Sequence, residues 1–172
     1  MDAFGTQGTA WLRTLPLRPV YQHALSGFLQ VLEVLRAQIR EASRLIDQEA
    51  KTMPIVGTLC TLPGVGHYTA LLILAEIGDV NRFPDPKRLT SYAGLVPTVR
   101  ASGGNVQTGR ISKQGSAWLR WTLVEAAQHA SRRPGRFQAL YRRLAQRKGS
   151  KIARVAVARE LLMTVCWMLR HA

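Results

Sequence analysis

The segment Leu62–Leu74 reads LPGVGHYTALLIL, and it decides how the middle of the chain folds. Its two glycines, Gly64 and Gly66, permit a tight turn. The apolar run that follows predicts a buried helix, which ends at Gly78. Such a turn exposes backbone N–H groups at the helix N-terminus, where the helix dipole favours an anion such as a phosphate group.

The same segment has Gly-x-Gly-x-x-x-Ala spacing ending at Ala70, which resembles the helix-hairpin-helix motif that binds the DNA backbone. We place this motif at residues 59–78, with four candidate phosphate-binding residues, Gly64, Val65, Gly66 and His67. A plain connecting turn is the alternative, and the basic sequence that follows favours phosphate contact. A dinucleotide-binding loop is excluded, because Thr69 stands where that loop needs a third glycine.

Positive charge is concentrated in the second part of the chain. The 172 residues carry 24 Lys and Arg against 10 Asp and Glu, a net charge of +14. Residues 1–99 hold nine basic and eight acidic side chains, whereas residues 100–172 hold fifteen basic and two acidic ones. This excess predicts binding of a polyanion, either nucleic acid or an anionic membrane surface, and the 47% hydrophobic content excludes a disordered basic tail.

The sequence favours nucleic acid over a membrane. The longest apolar stretch, 152–169, is interrupted by Arg154, Arg159 and Glu160, so it predicts an amphipathic helix and no membrane span. The N-terminus lacks the pattern of a secretory signal. We therefore expect a cytoplasmic protein.

The N-terminal part predicts an arm followed by a long helix. Residues 1–24 show no sustained period, and we expect an irregular arm there. Residues 25–52 predict a heptad helix, because apolar side chains recur in steps of three and four. The seam consists of Leu25, Phe28, Leu32, Leu35, Ile39, Ala42 and Ile46. This seam either packs on its own chain or pairs two copies in a coiled-coil homodimer, and the sequence leaves both open.

Residues 53–172 predict a mainly α-helical domain. Asp85 followed by Pro86 is typical of a helix start, and that helix runs to Tyr92. The glycine-rich segment 96–111 predicts a mobile loop or a short β-hairpin. Three helices follow, predicted at 115–132, 136–148 and 150–170.

The last helices carry the basic side chains. Helix 136–148 has an apolar face and four cations on its other faces, Arg142, Arg143, Arg147 and Lys148. A solvated surface would intersperse both signs of charge, so we assign these four residues to DNA binding. Trp118 and Trp121, three residues apart in the preceding helix, are assigned to core packing.

Cysteine and histidine form no metal-binding pattern. Cys60 and Cys166 lie far apart, and the four histidines are scattered, so no close-spaced pairs of zinc ligands can be assembled. We predict two buried thiols and no metal site in this chain.

Several motifs in series resemble a known family. The motifs are Leu62–Gly66, Tyr92–Pro97, Ser102–Gly104, Gly109–Gly115 and Leu119–Arg120. In order and spacing they are similar to the C-terminal domain of the IS116/IS110/IS902 type insertion-sequence transposases, over roughly residues 25–171. The resemblance implies a DNA transposase, active in DNA transposition and recombination, whose heptad helix precedes its C-terminal domain. It also implies a prokaryotic protein that is associated with the nucleoid.

The resemblance also implies a reactive residue. The family's nucleophile falls on Ser102, and four cations are candidates to bind DNA and stabilise the attacked phosphodiester, Arg100, Arg110, Lys113 and Arg120. It further implies an N-terminal domain whose carboxylates bind magnesium, and a structured guide RNA as partner.

The chain departs from this family pattern at its start. Only about 24 residues precede the heptad helix, so we expect the magnesium-binding domain to be absent from this chain. The chain then either works with a separate carboxylate-bearing chain or is an inert, truncated remnant. A non-catalytic nucleic-acid-binding module, in which Ser102 has no chemical role, is the rival interpretation.

Overall fold

The computed structural model describes residues 4–102 and 105–171, and for residues 100–102 and 105–108 it describes the backbone alone. The chain divides into two compact units, Met1–Leu45 and Ile46–Ala172. The described residues are mainly helical, with one two-stranded sheet, as the sequence predicts. Within these ranges no helix is both long and apolar enough to cross a bilayer.

The first unit contains a short helix that folds back along a long one. Helix α1 spans Thr6–Arg13, and helix α2 spans Pro19–Thr52, continuing into the second unit. Arg13 forms an ion pair with Glu33, and Arg36 donates a hydrogen bond to the carbonyl of Phe4. The irregular backbone predicted for residues 1–24 is wrong for α1 and for the start of α2, where proline has the φ that a first helical residue needs.

Helices α3, α4 and α5 build the first half of the second unit. They span Pro54–Cys60, His67–Ile77 and Pro86–Tyr92, with a short 3-10 turn at Val80–Arg82 before α5. The Asp85 carboxylate accepts a hydrogen bond of 2.9 Å from the Arg88 N–H, and Pro86 opens α5. This geometry confirms the predicted helix start, because an aspartate cap and a proline act on local backbone alone.

A β-hairpin follows α5. Strand β1 spans Pro97–Ser102 and pairs antiparallel with strand β2, Asn105–Ile111. The register places Pro97 opposite Ile111 and Ser102 opposite Asn105. Of the two alternatives for residues 96–111, the structure therefore has the hairpin, with Ser102 next to its tip.

Three helices complete the second unit around a central one. Helix α6 spans Ala117–Ala130, α7 spans Arg136–Lys148 and α8 spans Ser150–Arg170. Helix α8 contacts α3, α5, α6 and α7. Its Leu161 and Leu162 are fully buried in the same core cluster as Leu119 and Leu123 of α6. Phe137 of α7 belongs to the same core cluster, which packs α7 against α8.

Candidate nucleic-acid interface

Helix α7 presents its cations to solvent. Phe137 is buried, and Leu140 and Leu144 are half-buried, which gives α7 an apolar side for its contact with α8. Four basic side chains on the other faces are exposed, Arg142, Arg143, Arg147 and Lys148. None of them has a carboxylate partner among the residues that the structure describes. We call these four residues the α7 basic face.

The α7 basic face is suited to the phosphate backbone of a nucleic acid. Each guanidinium carries five N–H donors in a planar fork that matches a phosphate group. Arg147 and Lys148 also lie in the last helical turn, where positive charge stabilises the helix dipole. Stabilisation of the helix dipole explains the position of these two cations. It does not use their N–H donors, which can still bind a ligand.

Further exposed cations next to α7 were missed by the sequence analysis. Arg132 and Arg133 lie in the turn before α7, and Lys151 lies in the first turn of α8. Their signal in the sequence is the same excess of positive charge beyond residue 100. They extend the cationic segment on both sides of α7.

Three other arginines bond the protein's own backbone around α5. The Arg82 Nε donates to the Ile77 carbonyl at 3.1 Å, and the Arg120 Nη1 donates to the Ala93 carbonyl at 3.1 Å. Arg170 donates to the carbonyl of Phe83. We call α5 with these three arginines the α5 joint. It gives Arg120 a structural contact, and its predicted contact with DNA stays a prediction.

The turn between α3 and α4 divides its four predicted phosphate-binding residues into two pairs. Val65 is buried, and Gly64, at φ +85°, lies so close to α6 that a Cβ would overlap the carbonyl of Ala126. Gly66 and His67 are exposed, and Gly66 caps α4 without any side-chain hydrogen bond. Gly64 and Val65 therefore hold the turn against the core, and Gly66 and His67 face solvent.

A carboxylate lies beside the α4 N-terminus. The His67 Nδ1 lies 2.8 Å from the Asp47 Oδ1 of α2, and both side chains are exposed. A phosphate group approaching the first N–H groups of α4 meets this negative charge. The turn is thus a weaker anion site than its glycine spacing alone suggests.

The hairpin separates Ser102 from two of the cations predicted to act on its phosphodiester. Arg110 and Lys113 are exposed at the base of the hairpin, and Ser102 lies next to its tip. The five residue-to-residue steps of β2 from position 105 to position 110 span about 16 Å at the rise of a β-strand. The side chains of Arg100 and Ser102 lie outside the described residues, so their predicted roles are not tested by geometry.

Neither a metal site nor a reactive thiol is found in the described part of the chain. No three His, Cys, Asp or Glu side chains there are grouped closely enough to hold a metal ion. Both cysteines are free, Cys60 half-buried and Cys166 buried. Burial raises the pKa of both thiols, so they stay protonated and unreactive at neutral pH.

An open cleft of about 610 Å³ lies between α5, α7 and α8. Its lining includes two carboxylates, Asp85 and Glu160, beside Lys87 and Arg136. None of the residues predicted for the site lines this cleft. Its mixed charge gives it no preference for a phosphate.

The assignment of Trp118 and Trp121 to core packing is wrong. Their side chains are 63% and 50% exposed, because α6 buries the opposite stripe through Leu119, Leu123 and Ala126. The spacing of those apolar residues, in steps of four and three, is the signal that places both tryptophans outside.

Comparison with known proteins finds a family model and several relatives that match part of this chain. The sequence profile of the Transposase IS116/IS110/IS902 family matches residues 56–142, from α3 into α7. The transposase for insertion sequence element IS1111A of Coxiella burnetii is 33% identical over 102 residues, which is 57% of this chain and 28% of the relative. The transposase for insertion sequence element IS1328 of Yersinia enterocolitica is 31% identical over 120 residues, covering 67% of this chain and 36% of the relative.

A relative that is not named as a transposase also matches. The pilin gene-inverting protein of Moraxella bovis is 37% identical over 108 residues, 60% of this chain and 33% of the relative. This chain therefore spans only 28 to 36% of the length of these three relatives. Since the family profile covers half of the chain, including the α4 turn, the Ser102 hairpin and most of the α5 joint, the chain belongs to the IS116/IS110/IS902 transposase family.

Proposed function

We propose that this chain is the DNA-binding, serine-bearing part of an insertion-sequence transposase. The observation that carries the proposal is the α7 basic face, four exposed cations without carboxylate partners among the described residues. The relatives named as transposases support DNA as the ligand. The same surface suits the structured guide RNA that the family resemblance implies, because both nucleic acids present phosphates. The chain acts in the cytoplasm, at the nucleoid.

DNA binding by this chain uses the α7 basic face as its main phosphate contact. Gly66 and His67 at the α4 N-terminus add a weaker contact, because Asp47 opposes the incoming phosphate. Arg110 and Lys113, at the hairpin base, contact phosphates that flank the reacting one. Arg120 contributes indirectly, since its contact with the Ala93 carbonyl holds α6 near the start of the hairpin.

Ser102 is the proposed nucleophile for strand cleavage. Its hydroxyl oxygen forms a bond to phosphorus and gives up its proton, while the bond between phosphorus and one bridging oxygen breaks and that oxygen leaves as a hydroxyl carrying a proton. The strand end that keeps the phosphate stays joined to the protein as a phosphoserine ester, which can be attacked in turn by the hydroxyl of a second strand. Magnesium bound by carboxylates from outside these residues would supply Lewis-acid stabilisation of the phosphodiester.

A covalent adduct tests the role of Ser102. The chain is incubated with nicked or branched DNA, with and without a carboxylate-bearing partner and magnesium, and denaturing gels detect protein joined to DNA. We expect an adduct that Ser102→Ala abolishes, with DNA affinity unchanged. The matched control is Ser91→Ala, an exposed serine whose hydroxyl bonds the Lys87 carbonyl. An adduct that survives in Ser102→Ala contradicts the assignment, and DNA binding without any adduct favours the non-catalytic module.

Homodimerisation through α2 is a separate part of the proposal. On the predicted seam, Phe28, Leu35 and Ile39 are 74%, 54% and 64% exposed, whereas Leu25 and Leu32 are half-buried. Uncovered apolar side chains at heptad spacing favour pairing with a second copy. Phe28→Glu with Ile39→Glu should lower the mass in sedimentation to that of one chain, and Gln30→Glu with Gln38→Glu is the control. An unchanged mass contradicts the dimer.

A further inference from the structure

Two exposed tryptophans on α6 are not explained by the fold. Trp118 and Trp121 are 63% and 50% exposed. Their rings meet edge to face, with centroids 6.3 Å apart and an interplanar angle of 88°. This arrangement gives each ring an apolar neighbour and leaves much of both rings open to solvent. Large aromatic side chains exposed next to each other are typical of a binding site.

The tryptophan pair follows the Ser102 hairpin closely in the chain. Strand β2 ends at Ile111, and the next residue, Ser112, donates its N–H to the Val96 carbonyl at 2.9 Å. This hydrogen bond closes the hairpin base five residues before α6 begins at Ala117. The Arg120 side chain of α6 also bonds the Ala93 carbonyl, three residues before Val96, so the first turns of α6 are held near the hairpin base.

Exposed cations precede the pair in the chain. Residues 110–117 contain the exposed side chains of Arg110 and Lys113 and no acidic residue. The Arg120 guanidinium is bonded to the Ala93 carbonyl, and the half-buried Glu76 carboxylate accepts a hydrogen bond from Ser116. The next carboxylate in the chain is Glu125, one helical turn after Trp121. A partner protein with an apolar surface would contact the tryptophan rings but not the cations. A nucleic-acid strand can contact both, because its bases stack on the rings and its phosphates bind the cations.

We infer that Trp118 and Trp121 bind an unpaired base of the nucleic acid held by this chain. The inference rests on the proposed function. It narrows the nucleic acid that the chain binds to one with an unpaired strand. Bases inside a duplex are already stacked on each other, so only single-stranded or branched nucleic acid can place a base on these rings. Stacking on an aromatic ring tolerates every base, and the site selects for strand structure instead of sequence.

Tryptophan fluorescence tests this site directly. The chain has four tryptophans, so Trp11→Phe with Trp167→Phe leaves only Trp118 and Trp121 as reporters. We expect oligothymidylate to quench their fluorescence. An abasic oligonucleotide of equal length should bind about 5- to 100-fold more weakly, without quenching, because it has phosphates but no bases. A duplex of equal length should bind without quenching.

Substitution gives the second measurement. Trp118→Ala with Trp121→Ala should weaken oligothymidylate binding about 5- to 100-fold and leave duplex binding unchanged. The matched control is Trp11→Ala with Trp167→Ala, which removes two tryptophans that are 50% and 53% exposed elsewhere in the chain. This control should bind both probes as the unaltered chain does.

Four outcomes would overturn the inference. Equal affinity for oligothymidylate and the abasic strand, without quenching, would exclude base stacking. A lower mass in sedimentation for Trp118→Ala with Trp121→Ala, with unchanged binding of oligothymidylate, would show that the pair contacts a second copy instead. Binding of duplex alone would contradict this inference and leave the proposed function standing, whereas failure to bind either probe would contradict both.

Discussion

The α7 basic face and the α5 joint hold their cations in opposite surroundings. In the α5 joint, Arg82, Arg120 and Arg170 each donate to a backbone carbonyl of the same unit. On α7, the four cations are exposed and none bonds a carboxylate or carbonyl among the described residues. The comparison shows that net charge overestimates the number of cations available to bind a ligand, because some of the arginines stabilise the fold.

Alanine substitution of one glycine in each region should give the largest difference in the free energy of unfolding. Gly115, at φ +88°, lies against the end of α5, and a Cβ there would overlap the carbonyl oxygen of Tyr92. Gly149, at φ +84°, follows α7, and a Cβ there meets nothing within 4 Å. Gly115→Ala should lower the free energy of unfolding by about 3 to 5 kcal/mol, and Gly149→Ala by about 1 to 2 kcal/mol.

Urea denaturation of both glycine variants measures this difference. Both glycines have a positive φ, so each alanine adds backbone strain, and the larger loss expected in Gly115→Ala comes from the overlap with the Tyr92 carbonyl oxygen. Equal losses in the two variants would mean that the α5 joint is no more tightly packed than the end of α7.

Substitution of one arginine in each region should give a smaller difference in the free energy of unfolding. Arg120→Met keeps an unbranched apolar stem and removes the hydrogen bond to the Ala93 carbonyl, so we expect a loss of about 1 to 2 kcal/mol in the free energy of unfolding. Arg143→Met on α7 removes an exposed side chain without a bonded partner in the described residues, and its stability should change by less than about 0.5 kcal/mol.

DNA affinity should rank these two arginine variants in the reverse order. Arg143→Met should bind duplex DNA more weakly than Arg120→Met does, once both are folded. Chemical denaturation and fluorescence anisotropy measure the two quantities. If Arg143→Met were less stable and bound DNA with unchanged affinity, Arg143 would have the structural role and not the DNA-binding role.

The smallest effect is expected from a helix cap next to the α5 joint. The Ser116 hydroxyl accepts a hydrogen bond of 3.0 Å from the Leu119 N–H and donates one of 2.6 Å to Glu76. Ser116→Ala should cost about 1 kcal/mol of stability. Ser150→Ala, at the first residue of α8 after α7, is the control, since Gly149 and not Ser150 is the cap there. Thermal unfolding that shifts equally in both variants would argue against the cap.

Local signals in the sequence were enough for much of the fold. Asp85 and Pro86 set the start of α5, and the ends of α6, α7 and α8 lie within two residues of their predicted positions. Helix caps, glycines and apolar periodicity act over a few neighbouring residues, so they can be recognised in the sequence without knowing which distant residues they pack against. The same holds for the exposure of the α7 basic face, which follows from the apolar stripe opposite it.

Long-range packing explains what the sequence analysis missed. Whether Arg120 meets DNA or the Ala93 carbonyl depends on a residue 27 positions away. Gly64 and Gly66 look alike in the sequence, yet the approach of α6 makes only Gly64 a packing residue. The helix α1 was missed for the same reason, because its stabilising contacts are with α2.

The salt dependence of DNA binding tests the central claim, that phosphates bind to the α7 basic face. Duplex affinity is measured across salt concentrations for Arg142→Gln, Arg143→Gln, Arg147→Gln and Lys148→Gln combined. The control combines Arg18→Gln, Arg40→Gln, Arg44→Gln and Lys51→Gln, which removes the same charge from exposed positions in and before α2. The slope of log K against log salt should fall in magnitude by up to about 3.6 in the α7 variant and stay nearly unchanged in the control. Equal slopes in the two variants would show that net charge, and not this face, binds the DNA.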